Sequence, residues 1–162
     1  MPYSPPILPR LLPLALLLAA ACGGGGEGDD DGAPDAGISP LCQEATMHED
    51  FAWIQQKVFM RSCAFSSCHS GATPKAGLSL DGSNTFASLV GKPAQEAAAG
   101  GMMLVAPGHP EQSYLLVALG AAGVAGTPPS EGIMPLTNPR LCDQKIDAIK
   151  RWIAAGAKEG DE

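Results

Sequence analysis

Between Gly23 and Pro40 the chain carries Gly23-Gly24-Gly25-Gly26, the acids Glu27, Asp29, Asp30, Asp31 and Asp35, and no basic residue. Such a stretch cannot bury apolar area, and its charges repel one another into an extended coil. It therefore confines any hydrophobic core to residues 41–162. The Asp29–Asp31 run offers oxygens to a calcium ion, but a solvated spacer explains it with less. Five of the 17 acids of the chain fall in this stretch, so the net charge of −7 describes the spacer more than the fold. Even so, it argues against nucleic acid as a partner, because phosphate binding needs a basic face.

Ahead of the spacer, Arg10 precedes an apolar run from Leu11 to Ala21, broken only by Pro13. The run is too short to span a bilayer but fits the h-region of a signal peptide. It ends Leu18-Ala19-Ala20-Ala21-Cys22, which resembles the lipobox of bacterial lipoproteins. That resemblance implies a signal peptide over 1–21, lipidation at Cys22, and a tether over 22–40. Two or three acyl chains anchor a protein stably where one does not. Gly23, in place of an acidic retention residue, tilts the anchor toward the outer membrane. The alternative is an ordinary signal peptide cut near Ala21, leaving Cys22 a free thiol.

Within 41–162, glycines and prolines punctuate every apolar segment, and no stretch alternates apolar and polar residues for long. The fold class expected is mostly α, with short helices and long Gly/Pro-rich loops. The spacing predicts a first helix over Glu44–Met60, with Phe51, Ile54 and Val58 on one face and Trp53 beside it. A short helix is expected within Asp81–Val90, capped by Ser83 or Asn84 and stopped by Gly91. A third is expected over Pro110–Leu119, with proline in its first turn. The last is expected over Asn138–Ala155, with Asn138 as cap and Pro139 at N1. There Cys142, Ile146, Ile149 and Ile153 share a face. Ala94–Ala99 adds a turn.

The first helix runs into Ser62-Cys63-Ala64-Phe65-Ser66-Ser67-Cys68-His69. Two cysteines followed at once by a histidine, in an exported chain, point to covalent haem attachment. Two thiols add across the haem vinyl groups as thioethers, and the adjoining imidazole becomes the proximal iron ligand. The usual gap between the cysteines is two residues. Here it is four, Ala64 to Ser67, an expansion known among multi-haem c-type cytochromes. Downstream, the Pro-rich segment 126–135 ends in Met134-Pro135 and resembles the axial-Met loop of class I c-type cytochromes. A thioether ligand favours reduced iron. Met102 and Met103 follow Gly100-Gly101 and fit no such loop.

Together these features resemble the planctomycete-type branch of class I cytochrome c domains over most of residues 47–157. Leu78-Ser79-Leu80, Val105-Ala106-Pro107-Gly108, Ser113-Tyr114-Leu115 and the closing helix 149–157 resemble phrases of that family. The resemblance implies a cytochrome c-like arrangement of orthogonal helices over 41–162, in which the first and last helices cross. Phe51, Ile54, Val58, Ile149, Trp152 and Ile153 would form that crossing. It further implies one haem c, held by Cys63 and Cys68 and ligated by His69 and Met134. A buried porphyrin would also supply apolar bulk to a chain with only 5 % aromatics.

The remaining cysteines, Cys42 and Cys142, form a disulfide in the economical reading of an oxidising compartment; the alternative is two buried thiols. His48 and His109 read as solvated residues at helix starts. A zinc site from Cys63, Cys68, His69 and one of His48 or His109 is disfavoured, because adjacent Cys68 and His69 are poorly placed to point at one tetrahedral ion. No nucleophile elbow, phosphate-binding loop or dinucleotide loop occurs, so an enzyme is not expected. The expectation is a monomeric, lipid-anchored electron carrier of the cell envelope, exchanging electrons with redox partner proteins. The alternative is a haem-free lipoprotein on a cytochrome-like scaffold, with Cys63 and Cys68 disulfide-bonded, acting as a binding or structural module.

Overall fold

The structure, a computed structural model, describes residues 38–160. The signal segment 1–21, Cys22 and the tether as far as residue 37 lie outside the described residues. Among the described residues the fold is built of short helices and loops and contains no strand. No helix there is long and apolar enough to cross a membrane.

Helix α1 (Pro40–Ala45) starts where Ser39 accepts the Cys42 N–H on its Oγ at 3.3 Å, with Pro40 in the first turn. A hydroxyl cap followed by proline is a strong helix start. The expected boundary at residue 41 thus falls inside this turn. The helix expected over Glu44–Met60 is in fact broken. Thr46 and Met47 turn away, and α2 (Phe51–Ile54) begins afresh at Asp50. Asp50 is extended, and its Oδ1 accepts the Trp53 N–H at 2.8 Å, which caps the new helix. His48 is not simply solvated. It lies half-buried in the joint, its Nδ1 2.8 Å from Asp50 Oδ2 and its ring stacked 4.6 Å from Trp53. Trp53 Nε1 donates back to Glu44 Oε1 at 2.9 Å, so α1 and α2 are fastened across the break.

Helix α2 widens into a π-helical turn (Gln55–Phe59) and closes as α3 (Met60–Ser62). Beyond it come α4 (Thr85–Leu89), α5 (Tyr114–Ala118) and α6 (Asp143–Ala154), with 3₁₀ turns at Lys75–Gly77, Ala97–Ala99 and Pro110–Gln112. The helix expected over Pro110–Leu119 is split at Ser113. That residue is extended and bridges to Met103, and its Oγ accepts the Ala106 N–H at 2.9 Å. Helix α6 starts later than expected. Asn138 and Pro139 stay outside it, and Cys142 is the cap residue. Its far end matches the expected stop: Gly156 (φ +99°) lets Ala157 N–H reach Trp152 O at 2.9 Å and Gly156 N–H reach Ile153 O at 3.0 Å. Those paired bonds are the Schellman arrangement.

Phe51, Ile54, Val58, Ile149, Trp152 and Ile153 are all buried in one cluster. The Phe51 and Trp152 rings lie 5.3 Å apart, which places α2 against α6. Cys42 and Cys142 are paired at a Cα–Cα distance of 6.3 Å, joining α1 to the start of α6. Arg151 Nη2 reinforces that joint by donating to Ala45 O and His48 O, each at 2.7 Å.

The cap at Asp50 gives a testable pH effect. Burial raises the carboxyl, but hydrogen bonds from His48 and the Trp53 N–H outweigh it and hold Asp50 below its ordinary value. A depressed carboxyl contributes stability above its unfolded pKa, about 4, and loses it as pH falls through the folded value. Asp50→Ala should cost about 1 kcal/mol at neutral pH, and the gap to wild type should close on acidification. Urea titrations across acid pH measure both. A gap that does not narrow would remove the charge from the explanation.

Candidate functional site

The π-helical turn sets the geometry one turn ahead of Cys63. Turns of this width are rare and concentrate at functional sites. Both Cys63 N–H and Ala64 N–H donate to Phe59 O at 2.9 Å, ending the helix. The chain then folds back. Cys68 N–H donates to Phe65 O at 2.8 Å, and His69 N–H donates to Cys63 O at 3.2 Å. The four-residue gap is taken up by this turn, so Cys63, Cys68 and His69 belong to one closed loop.

His69 is held on two sides by the segment 78–80. Leu80 N–H donates to His69 O at 2.8 Å, and His69 Nδ1 lies 3.2 Å from Leu78 O. A carbonyl can only accept, so in the neutral imidazole this contact puts the ring proton on Nδ1 and the lone pair on Nε2. Leu78 and Leu80 are themselves buried, and Gln55 Nε2 donates to Leu80 O at 3.1 Å, tying the segment to the π-helical turn. At its end, Asp81 accepts Ser79 Oγ–H at 2.6 Å and Gly71 N–H at 2.9 Å. These bonds, Ser79 first, hold its carboxyl below the ordinary value.

Cys63 and Cys68 are both free thiols and half-buried. Burial pushes the Cys63 thiol up to about 12, and the neighbouring Cys68 adds to the shift. At neutral pH Cys63 is therefore a neutral thiol, poorly suited to bind a cation as thiolate. Consistent with that, no group of three His, Cys, Asp or Glu side chains among the described residues could hold a metal ion.

Met134 sits on a separate segment. Its N–H donates to Ala118 O at 2.8 Å, and its peptide bond to Pro135 is cis. The side chain is half-buried and packs on the same core cluster as Cys63 and Ala64. Asn138 Nδ2 reaches Ser62 O at 3.5 Å, joining the segment after Met134 to the residue before Cys63. Met134 lines a cavity of about 330 Å³ with Gly120, Ile133, Pro135 and Arg140; Cys63, Cys68 and His69 do not line it. The structure thus brings the two cysteines and His69 into one loop and sets Met134 apart from them on the shared core. Of the other methionines, Met102 packs on a second cluster with Ala99, Tyr114 and Val117, and Met103 is 47 % exposed. His109 is exposed and paired with Glu111.

Gly120 was legible only as a helix stop. It also has φ +67°, and a Cβ there would meet Ile133 Cδ1 and Cγ2 at 3.3 Å, so glycine leaves room for the cavity wall. Arg140 gave no local signal, because its place depends on Gly120 O, 20 residues away in sequence.

No family model, curated protein or solved structure matches this chain.

Proposed function

We propose that residues 41–162 form the haem-carrying domain of a lipid-anchored, mono-haem c-type cytochrome of cytochrome c-like fold, acting in one-electron transfer in the bacterial cell envelope. The observation that carries this reading is His69. Its Nδ1 faces Leu78 O, which in the neutral ring leaves Nε2 with the lone pair, and two thiols outside any disulfide stand in the same loop. Metal-binding histidines characteristically donate their other ring nitrogen to a carbonyl or carboxylate, which fixes the tautomer and orients the ring.

The donor set fits a haem. Cys63 and Cys68 would hold it through thioethers, which require neutral sulfur and no metal-thiolate bond. His69 Nε2 and Met134 Sδ would be the iron ligands. Met60 and Phe65, which flank Cys63 in sequence, and Ile133 and Leu136, which flank Met134, are exposed apolar residues. When bound, the haem supplies a one-electron iron couple. The protein's part is to fix the ligands, exclude water with the α2–α6 core, and transform no substrate. The lipid at Cys22 and the acidic tether would keep the domain at the membrane, with the outer membrane favoured, while it reaches its redox partners as a monomer.

The test is a pyridine haemochrome spectrum of denatured protein, secreted from a host with c-type haem maturation. Wild type should show covalent haem, Cys63→Ser should shift the band toward that of free vinyl haem, and the double serine variant should lose it. No covalent haem, with a second disulfide by mass, would overturn the reading in favour of a haem-free module.

A further inference from the structure

We infer that Gln55 is the positioning residue of His69: from the π-helical turn its amide holds the segment 78–80, and that segment sets how closely Leu78 O meets the imidazole. The inference rests on the haem reading above and adds a residue to it.

The link runs through four atoms of backbone and one side chain. Gln55 Nε2 donates to Leu80 O at 3.1 Å. Leu80 N–H donates to His69 O at 2.8 Å, and His69 Nδ1 lies 3.2 Å from Leu78 O. That last distance is the long limit of an N–H···O bond. A retreat of Leu78 by a few tenths of an ångström therefore weakens it. The far end of the segment is tied at Asp81, which accepts Gly71 N–H at 2.9 Å. The near end depends on the Gln55 amide.

Two features show that Gln55 is placed for this bond and not for helix stability. It opens the π-helical turn, whose i→i−5 bond runs from Met60 N–H to Gln55 O. A π-turn holds one residue more than an α-turn, so it rotates Gln55 relative to Cys63 farther along the same helix. The amide also leaves a debt. Only its NH₂ can donate to Leu80 O, which turns Oε1 inward, buried and without a hydrogen-bond partner. A buried acceptor left unmade is destabilising. An apolar side chain of the same length would avoid that cost but would not hold Leu80.

The consequence falls on the iron ligand. Donation from Nδ1 to a carbonyl fixes the ring and raises its basicity. A more basic imidazole favours ferric iron and opposes the preference of the Met134 thioether for reduced iron. Releasing the 78–80 segment should therefore raise the midpoint potential. General loosening of the fold acts the other way, because water near the iron favours the more highly charged ferric form.

The experiment is a spectroelectrochemical titration of the haem-loaded full chain, with NMR of the His69 Nδ1–H proton in its ferrous form. Gln55→Met keeps the length and removes the donor. Gln55→Asn keeps the amide but falls short of Leu80 O, and it serves if the methionine variant does not mature. In either, the ferric-to-ferrous ratio at the wild-type midpoint should fall roughly two- to fivefold, a rise of about 18 to 41 mV at 59 mV per tenfold. Exchange of the Nδ1–H proton with solvent should quicken together with it. An unchanged midpoint and exchange rate overturns the inference. So does a lowered midpoint, which marks a purely structural role for Gln55. Wild type lacking the haemochrome band overturns the haem reading itself, a separate outcome.

Discussion

Replacing Cys42 and Cys142 together by serine should lower the unfolding free energy by about 2–5 kcal/mol. The pair closes a loop of sequence separation 100, for which chain entropy alone sets a scale of ~4.7 kcal/mol. The double variant avoids a stray thiol. Guanidinium unfolding without reductant should show the loss, and dithiothreitol on wild type should reproduce it. On the proposed haem reading, thioethers survive that treatment, so the native spectrum of the loaded protein should persist in dilute buffer while the unfolding midpoint drops. A loss well below 1 kcal/mol would mean that Arg151, Trp53 and the α2–α6 core hold α1 in place without the bridge.

On the proposed haem reading, Met134→Ala should abolish the weak far-red band that a thioether gives ferric haem, and should lower the midpoint potential, because loss of the sulfur removes its preference for reduced iron. Met134→His should restore a six-coordinate spectrum at low potential. The side chain is half-buried on the core cluster with its N–H bonded to Ala118 O, so the backbone placement should survive both changes. A far-red band that persists in the alanine variant would remove Met134 from the site and direct attention to Met102 or Met103.

Local patterns predict the parts of this fold that local forces build. The face of α6 through Ile146, Ile149 and Ile153 follows from helical spacing alone, and all three are buried. Gly156 marks the end because its backbone geometry needs only near neighbours. The misplaced boundaries have other causes. Ser39-Pro40 and Asp50 carry readable cap chemistry, yet the acidic spacer and the apolar periodicity beyond it masked them. Ser113 breaks its helix because of Met103 and Ala106, and Cys142 begins α6 while paired with Cys42; neither partner is a sequence neighbour. The site divides the same way. Cys63, Cys68 and His69 are legible as a motif, whereas Leu78 O, which sets the tautomer of a neutral His69, and Arg140 become visible only once distant backbone is in place.

The Cys42–Cys142 bridge also decides how the molecule answers mechanical tension. A pull entering along the N-terminal segment passes from Ser39 through two residues of α1 to Cys42, crosses to Cys142, and leaves through α6. Residues 43–141 form a covalent side loop off that line. The extensible length between the ends is therefore set by the chain outside the loop, and Cys63, Cys68, His69 and Met134 are shielded from force for as long as the bridge is oxidised.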